Sequence, residues 1–390
     1  MDFNVQSFGA AAGSEELQTA AFQAALDAAA QAMGGRVVVP AGEYVVSSLR
    51  MYSGTTLLLC DGARLLGSRE CEDYTLFTPP AGLELRTDVE MIPQHYEAMG
   101  GSSPFYRRAM ISAYGQRDIA ILGEGSAVID GRDCFDPQGE EGYRGPHGIF
   151  LSGCRNVELR GYTIENSGNF MHQLDGCSNV VFESVTMLAG HDGAHIHCCD
   201  NVLFEDCTIQ SGDDCIAGID TRNVTVRRCL LNTSCHNFRI GGVNLLVEDC
   251  RLVGPGVYPH RLSVAHGRED RPAVTDGRHN TLFAFTYFSS VTHPAPTPAS
   301  NWYIRNCTLE NIDRFLCYHA NDAARLHAGA TLSAIRLENL TIHGLRMPSD
   351  VEGDPDCPLV VEARQVDCRY FSGQTADLFD GCQNVLVRPW

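Results

Sequence analysis

Residues 190–242 read GHDGAHIHCCDNVLFEDCTIQSGDDCIAGIDTRNVTVRRCLLNTSCHNFRIGG, and the order of residues in this stretch decides the fold. Asn-Val and Asn-Leu pairs mark a repeat that runs through the stretch and beyond it. Successive marks are 23, 22, 22 and 21 residues apart. The marks are Asn156, Asn179, Asn201, Asn223 and Asn244. A nearly constant spacing of this size indicates a structural period.

Each repeat unit has the pattern of short strands joined by polar turns. After each mark, apolar and polar residues alternate as in a half-buried strand, and a turn rich in Ser, Gly and Asn follows. Units this short that consist of strands alone predict an all-β chain, wound as a parallel β-helix with one coil per repeat.

A column of polar residues recurs at one phase of the repeat. The positions thirteen residues after the first four marks are Asn169, Asp192, Asp214 and His236, and Asp213 stands directly before Asp214. Coils stacked in register at roughly 4.8 Å would bring these side chains together on one face. Stacked polar residues are also an ordinary structural feature of such turns, but neighbouring carboxylates repel one another and raise a pKa. The pattern therefore favours a functional site.

The motifs that carry this column resemble those of glycoside hydrolase family 28, the polygalacturonases. That family has Asn-Thr-Asp-Gly, Gly-Asp-Asp-Cys-Ile-Ala and His-Gly motifs on successive coils. The corresponding residues here are Gly190-His191-Asp192-Gly193, Gly212-Asp213-Asp214-Cys215-Ile216-Ala217 and His236-Asn237. The segments FNVQSFGA, EELQTAAFQAALDAAA and GGRVVVPAGEYVVSSLRM are similar to the opening of the same superfamily. The resemblance covers residues 1–250 well and the remainder loosely, and it implies a right-handed parallel β-helix of the pectin-lyase type.

The resemblance also implies hydrolysis of a glycosidic bond with inversion. It assigns Asp213 as the general acid, Asp192 and Asp214 as the pair that holds and deprotonates water, and His236 as the residue that orients Asp213 or keeps it protonated. Inverting glycosidases hold their two carboxyl groups about 6.5–9.5 Å apart, and Asp192 and Asp213 are expected to meet that separation. Crowding of three carboxylates is expected to raise the pKa of the acid, Asp213.

The chain departs from the family pattern around the substrate. His191 replaces a threonine, Gly190 an asparagine and Asn237 a glycine. No lysine occurs anywhere in the chain, so the family's Arg-Ile-Lys motif is missing and galacturonan specificity is open. The candidates for contacting the sugar are the cationic and imidazole side chains near the column: His191, His195, Arg239, His260 and Arg261.

The rest of the chain is expected to frame this site in a single β-helix domain, residues 1–390. Residues 14–33 have helical apolar spacing and predict an amino-terminal capping helix, with Ser14 as its candidate N-cap and Leu17 on its apolar face. The repeat lapses over residues 68–106 and 253–300, which predicts two insertions that line the cleft. A further irregular segment, 134–148, is either surface decoration or part of a cleft wall.

Composition restricts the partners. A net charge of −19 argues against nucleic acid and anionic membranes. The sequence shows no long apolar run and no leader peptide, which predicts a cytoplasmic protein whose 17 cysteines are mostly reduced core thiols. No Cys-x-x-Cys pair occurs, and the group His195, His197, Cys198 and Cys199 makes a weak case for zinc. No metal or other cofactor is therefore expected.

The expected partner is a carbohydrate, and the oligomeric state is left open. A polyanion would approach this acidic chain against a repulsive field, so exo action on small pectin-derived oligosaccharides or glycosides is expected, with Arg239 and Arg261 contacting the sugar. Two other functions stay open. One is a β-helix polysaccharide lyase that uses Arg239 or Arg261 as its base, with calcium held by acidic residues. The other is a non-catalytic β-helix that binds carbohydrate or another protein.

Overall fold

The computed structural model describes residues 1–83, 107–264, 273–289, 299–320 and 331–390. Helix α1 spans Thr19–Gln31, and two short 3-10 helices span Val5–Phe8 and Cys71–Asp73. No helix in these ranges is long and apolar enough to cross a membrane. The strands are β1 (Asp2–Asn4), β2 (Gly35–Val39), β3 (Gly42–Val46), β4 (Leu49–Arg50), β5 (Thr55–Leu59), β6 (Ala63–Gly67), β7 (Ala109–Tyr114), β8 (Arg117–Gly123), β9 (Val128–Asp130), β10 (Phe135–Glu140), β11 (His147–Ser152), β12 (Arg155–Arg160), β13 (Thr163–Glu165), β14 (His172–Asp175), β15 (Ser178–Glu183), β16 (Thr186–Ala189), β17 (Ala194–His197), β18 (Asp200–Glu205), β19 (Thr208–Ser211), β20 (Ile216–Arg227), β21 (Leu230–Thr233), β22 (His236–Glu248), β23 (Arg251–Val253), β24 (Thr281–Tyr287), β25 (Ser300–Arg305), β26 (Thr308–Glu310), β27 (Ile312–His319), β28 (Ala334–Leu345), β29 (Asp350–Glu352), β30 (Leu359–Tyr370) and β31 (Val385–Pro389).

These strands wind into a right-handed parallel β-helix, as predicted. Each strand pairs in parallel with the equivalent strand of the next coil: β14 with β17, β15 with β18, and β16 with β19. One coil therefore uses three strands and advances the chain by one strand spacing, roughly 4.8 Å. The period of 21–23 residues is the length of this coil.

The asparagine marks stack on one another, which confirms the register predicted from the sequence. Asn179 donates a hydrogen bond to Asn156 at 3.0 Å, and Asn201 donates one to Asn179 at 2.9 Å. Asn244 donates in the same way to Asn223 at 2.7 Å. All five marks have a positive φ, between 53° and 64°. Asparagine recurs at this phase because it tolerates the left-handed conformation that the turn requires.

The inside of the coil is a continuous hydrophobic core. Alternate strand residues point inward and stack in register, as Phe182 does on Phe204, with ring centroids 4.3 Å apart and planes 8° apart. Cysteines that recur from coil to coil also pack into this core, as predicted: Cys154, Cys177, Cys199, Cys207, Cys229, Cys250 and Cys307, with Cys382 packed against it. They act as small apolar fillers.

Helix α1 covers the open end of this core. Its buried face consists of Phe22, Ala25, Leu26 and Ala29. The Phe22 ring packs edge-on against Tyr44 of β3, with centroids 5.5 Å apart. This contact closes the first coil, so the predicted cap is present.

The cap starts later than predicted. The helix begins at Thr19 because the residues before it are bound alongside β3, where Gln18 N donates to Val45 O at 2.8 Å. Ser14 is therefore not the N-cap, and its hydroxyl accepts from Glu16 N within a local turn at 3.2 Å. Leu17 lies outside the helix and is 45% exposed.

The predicted insertions are only partly outside the coil. Residues 84–106 of the first insertion lie outside the described residues. Within 253–300, strand β24 belongs to the coil, where it pairs with β22 and β27, so the prediction of one insertion over that whole range is wrong. Residues 254–264 and segment 134–148 extend from the coil toward the polar column. The assignment of a single domain stays a prediction.

Candidate functional site

The polar column lies at the turn before the same strand of successive coils. Asp192 precedes β17, Asp213 and Asp214 precede β20, and His236 opens β22. The amide directly after Asp192 donates to Asp214 O at 2.9 Å, and the amide directly after Asp214 donates to His236 O at 2.9 Å. The backbone ladder therefore holds these residues one above another, with Asp213 beside them.

The three carboxylates of the column are close together and nearly closed off from solvent. Asp192, Asp213 and Asp214 each place an oxygen within 4.8 Å of the other two, and none is more than 6% exposed. A separation of about 6.5–9.5 Å between the two carboxyl groups is typical of inverting glycosidases. The distance between the nearest oxygens does not give the separation of the whole carboxyl groups, so the separation expected for Asp192 and Asp213 stays a prediction.

Asp213 is surrounded by cationic groups. Its Oδ2 accepts hydrogen bonds from Arg144 Nη2 at 2.8 Å and Arg261 Nε at 3.3 Å, and its Oδ1 lies 3.5 Å from His260 Nε2. Burial alone would raise the pKa of Asp213. The hydrogen bond from His260 and the charges of Arg144 and Arg261 outweigh burial and hold this pKa well below its usual value. The predicted rise in the pKa of Asp213 is therefore wrong for the free protein.

Asp192 has the opposite environment. Its Oδ2 shares a short hydrogen bond with His195 Nε2, and the other nitrogen of His195 lies 3.1 Å from His197 Nε2. Burial lowers the pKa of His195 to about 4 and holds that of His197 well below its usual value, so both imidazoles are neutral. Burial, followed by the charges of Asp213 and Asp214, raises the pKa of Asp192 well above its usual value. This direction favours the protonated form of Asp192 in the free protein.

His236 contacts Asp214 rather than Asp213. Its Nδ1 lies 2.6 Å from Asp214 Oδ1, and Arg239 Nη1 lies 3.9 Å from Asp214 Oδ2. Burial would raise the pKa of Asp214, but the charge and hydrogen bond of His236 lower it. His236 was predicted to orient Asp213. In the structure it contacts the next residue, Asp214, instead.

Arg144 is a site residue to which the sequence assigned no role. The residue is 2% exposed. Besides Asp213, it donates to Glu141 Oε2 at 3.1 Å and to Asn169 Oδ1 at 3.4 Å, and it lies 5.3 Å from the centre of the Phe170 ring. The lapse of the repeat over 134–148 was the one signal for this segment, and nothing in composition distinguishes Arg144 from the other arginines.

Arg261 approaches the same carboxylate from the other loop. Its Nη1 lies 2.7 Å from Glu141 Oε1, in addition to the contact with Asp213. Arg144, Arg261, Asp213 and Glu141 therefore form a network of two positive and two negative charges. Segment 134–148 and residues 258–264 meet in this network, directly over the carboxylates.

The five residues predicted to contact the sugar are not equally accessible. Arg239 and Arg261 present 31% and 40% of their side chains to solvent. His191, His195 and His260 are buried. Neither ring nitrogen of His191 has a hydrogen-bond partner among the described residues. The arginines are therefore open in the free protein, and the histidines are enclosed.

Three groups at this site have the spacing of metal ligands: the three carboxylates of the column, and two groups that include the thiol of Cys235. One of these two adds Asp213 and His260, and the other adds Asp214 and His236. The arginines that already pair with these carboxylates oppose the binding of a cation. In the described part of the chain, no such group includes the histidines of β17 that the sequence offered as a weak zinc case.

The comparison with protein families agrees with the motifs. The profile of glycosyl hydrolases family 28 matches residues 86–246, and a profile described as rhamnogalacturonase A/epimerase, pectate lyase-like, matches residues 3–59. These matches confirm the resemblance predicted from the sequence. Mannuronan C5-epimerase AlgE4 of Azotobacter vinelandii is 46% identical over 68 residues, which are 17% of this chain and 12% of that protein. The chain therefore matches only a small part of this relative's length.

Solved structures share the whole architecture. The family 28 exopolygalacturonase of Yersinia enterocolitica superposes with a TM-score of 0.71 at 20% identity, over 95% of this chain and 71% of that one. The exopolygalacturonase of Thermotoga maritima superposes with a TM-score of 0.68 at 15% identity, over 100% of this chain and 92% of that one. Similarity at these identities shows the fold.

Proposed function

We propose, on the premise that residues 86–246 carry the pattern of glycosyl hydrolases family 28, that this protein is a glycoside hydrolase acting on pectin-like carbohydrate. The observation that carries the proposal is a set of buried carboxylates with unlike proton affinities. The pKa of Asp192 is raised, and those of Asp213 and Asp214 are lowered. Hydrolysis needs one group that gives a proton and one that takes a proton, and neighbouring acids whose pKa values are driven apart can fill both roles.

The proton in the free protein is on Asp192, whereas the family resemblance assigns Asp213 as the acid. The two assignments are compatible if substrate binding moves the proton. A substrate anion that pairs with Arg144 and Arg261 would remove the charges that keep Asp213 ionised. The nearest oxygens of Asp192 and Asp213 lie within 4.8 Å, a gap that one water molecule can bridge, so the proton held by Asp192 can then pass to Asp213 through that water.

This transfer prepares both catalytic roles with a single proton. Asp213 donates it to the glycosidic oxygen, and the bond between that oxygen and the anomeric carbon breaks. Asp192, now ionised, acts with Asp214 to remove a proton from the water that attacks the anomeric carbon. His236 keeps Asp214 ionised and fixed in position. Inversion of configuration follows from the family resemblance, not from the spacing of the carboxylates.

The substrate anion is proposed to be the carboxylate of a uronic acid. Strand β24, on the coil after His236, contains neither arginine nor lysine, so the coil itself does not replace the missing Arg-Ile-Lys motif. Arg144 and Arg261 supply forked donors that match a carboxylate. Because two loops meet over the carboxylates, the space supports exo action on short oligomers.

The arrangement gives less support to a lyase. A lyase would need an arginine that gives up its proton to act as a base. Arg144 and Arg261 both pair with acidic side chains, and these acids raise their pKa although burial opposes the rise. Such arginines are poor bases.

The test is the product formed from short oligogalacturonates. We expect single sugars released from chain ends, with the anomeric configuration inverted when product is observed by proton NMR before mutarotation. Retention of configuration would contradict the inverting mechanism that the family resemblance implies. Products that absorb in the ultraviolet would identify a lyase, and binding without any product would identify a non-catalytic protein.

A further inference from the structure

Two buried cysteines differ from all the others in the described chain. Every other buried cysteine belongs to the hydrophobic core, but Cys235 and Cys317 do not. Each of these two lies beside a histidine and an acidic residue at metal-ligand spacing. Cys235 belongs to the candidate active site. Cys317 belongs to a second cluster that the proposed hydrolysis does not use.

The second cluster is built by β27 and β29. Cys317 is the register partner of Asp350, and His319 is the register partner of Glu352. Because Leu316 and Tyr318 point into the core, the alternating residues Cys317 and His319 face outward together. The strand pairing therefore places a thiol, an imidazole and two carboxylates on one outer face.

The distances in this cluster suit a metal ion. The thiol of Cys317, a ring nitrogen of His319 and a carboxylate oxygen of Asp350 lie within 4.8 Å of one another. Ligands around tetrahedral zinc lie about 2.0–2.3 Å from the metal, and hence roughly 3.5 Å from one another. A modest inward movement of these three side chains would complete three corners of such a site.

The surroundings of His319 add a second feature of metal sites. Its Nε2 lies 2.8 Å from Asp350 Oδ1, while its Nδ1 lies 3.6 Å from Glu352 Oε2. Histidines that bind metals commonly direct their second nitrogen to a carboxylate, which fixes the tautomer. Glu352 is placed for that role. A cavity of about 270 Å³, lined in part by His319, Asp350 and Glu352, gives access from solvent.

We propose that Cys317, His319 and Asp350 bind a divalent transition metal ion of the zinc class, with Glu352 orienting His319. Thiolate and imidazole ligands select zinc and similar ions over calcium and magnesium, which prefer oxygen ligands alone. Three protein ligands leave a fourth position for water or a ligand oxygen.

One cation, Arg314, lines the same cavity. Its guanidinium is engaged elsewhere: Nη1 donates to Pro348 O at 3.0 Å and Nη2 to Met347 Sδ at 3.4 Å. The cavity also contains Asp380, so its acidic groups outnumber this cation. At Cys235, by contrast, the neighbouring carboxylates are already paired with arginines. A metal ion is therefore expected at Cys317 first.

The metal site does not depend on the proposed hydrolysis. Along the sheet, Arg239 pairs with Thr286, which pairs with Cys317, so the cluster lies two coils beyond the candidate active site. Two strand spacings correspond to roughly 10 Å. The two sites can therefore be tested separately.

The test is cobalt binding to the full chain after removal of bound metal with a chelator. Wild-type protein is expected to bind Co²⁺ with a thiolate charge-transfer band in the near ultraviolet. Cys317→Ser should abolish the band, and His319→Gln and Glu352→Gln should each weaken binding by about tenfold or more. The matched controls Cys235→Ser and Cys60→Ser, whose thiols lie outside this cavity, should keep the band. Circular dichroism of each variant checks the fold.

Two outcomes would overturn the proposal: the absence of a thiolate band in the wild type, and a band that survives Cys317→Ser. If the band that survives Cys317→Ser is lost in Cys235→Ser, the metal lies at the candidate active site.

Discussion

Asp192 and Asp213 lie on neighbouring coils, and their nearest carboxylate oxygens are within 4.8 Å of each other. Even so, the pKa of Asp192 is raised and the pKa of Asp213 is lowered. Both are buried, so burial raises the pKa of each. What differs is the partner. Asp213 faces the guanidinium groups of Arg144 and Arg261, whereas Asp192 faces the neutral imidazole of His195. The loops, not the coil, therefore decide which carboxyl keeps the proton.

The repeat of the coil determines where the carboxyl groups lie, whereas the loops determine their charges and pKa values. The coil places the carboxyl groups of neighbouring turns close together on one face. The loops then make those groups unlike, because each loop delivers charge to one side of the column. A β-helix can in this way keep its carboxylates and change its chemistry through residues that lie outside the repeat.

The largest expected effect is on activity. Asp192→Asn and Asp213→Asn should each lower kcat by about 10²–10⁴-fold, since each removes a proton donor or acceptor from the reaction. Release of reducing sugar from short oligogalacturonates measures the loss. Asp206→Asn, an exposed aspartate on the same coils, is the matched control and should keep wild-type activity. Near-normal turnover in either site variant would remove that residue from the mechanism.

The next largest expected effect is on the free energy of unfolding, which Asp192→Asn and Asp213→Asn should change by different amounts. Asp213→Asn removes one of the two carboxylates that pair with the buried Arg144 and leaves one positive charge of the network uncompensated, and breaking a buried ion pair costs about 3–5 kcal/mol. Asp192→Asn replaces a carboxyl that is already neutral with a neutral amide of the same shape, so no destabilisation is expected. Urea denaturation at neutral pH measures both free energies of unfolding. Equal losses in the two variants would contradict the assigned proton positions.

The same division explains what the sequence could predict. The asparagine period and the alternation of apolar residues were sufficient for the coil, its register and the column of Asp192, Asp214 and His236, because strand pairing propagates a local pattern. The start of α1 was missed because residues 13–18 pair with β3, a contact distant in the chain. Arg144 was missed for the same reason: its partner Asp213 is 69 residues away. Charged side chains on the loops do not follow the repeat, so the sequence pattern does not reveal which residues they contact.

Selectivity for an acidic sugar should depend on the loop arginines. Arg261→Gln and Arg144→Gln each remove a charged hydrogen-bond donor, worth about 1.5–3 kcal/mol, or roughly 10–100-fold in kcat/KM. The loss should appear with an oligogalacturonate and be small with its methyl ester, which lacks the anion. Arg228→Gln, an exposed arginine of the coil, should change neither value. An equal loss with both substrates would show that the arginines only maintain the fold.

The smallest effect is a dependence of stability on pH that differs between wild type and Asp192→Asn. The pKa of Asp192 is raised in the folded protein above the ordinary value of 3.8. As pH rises past that value, the unfolded chain loses the proton while the folded protein keeps it, so the wild type loses stability with rising pH. One proton gives a slope of at most about 1.4 kcal/mol per pH unit.

Asp192→Asn cannot titrate, so it should gain stability relative to wild type as pH rises from about 4 toward neutrality. Asp213 contributes with the opposite sign, because its lowered pKa stabilises the folded protein above about pH 4 and this contribution is lost as pH falls further. Both proteins retain Asp213, whose charge contributes to the raised pKa of Asp192, so the difference between their unfolding free energies reports the titration of Asp192 together with its coupling to Asp213. Urea denaturation of the two proteins at a series of pH values measures that difference. A difference that stays constant with pH would mean that Asp192 is ionised in the folded protein and that the proton belongs elsewhere in the column.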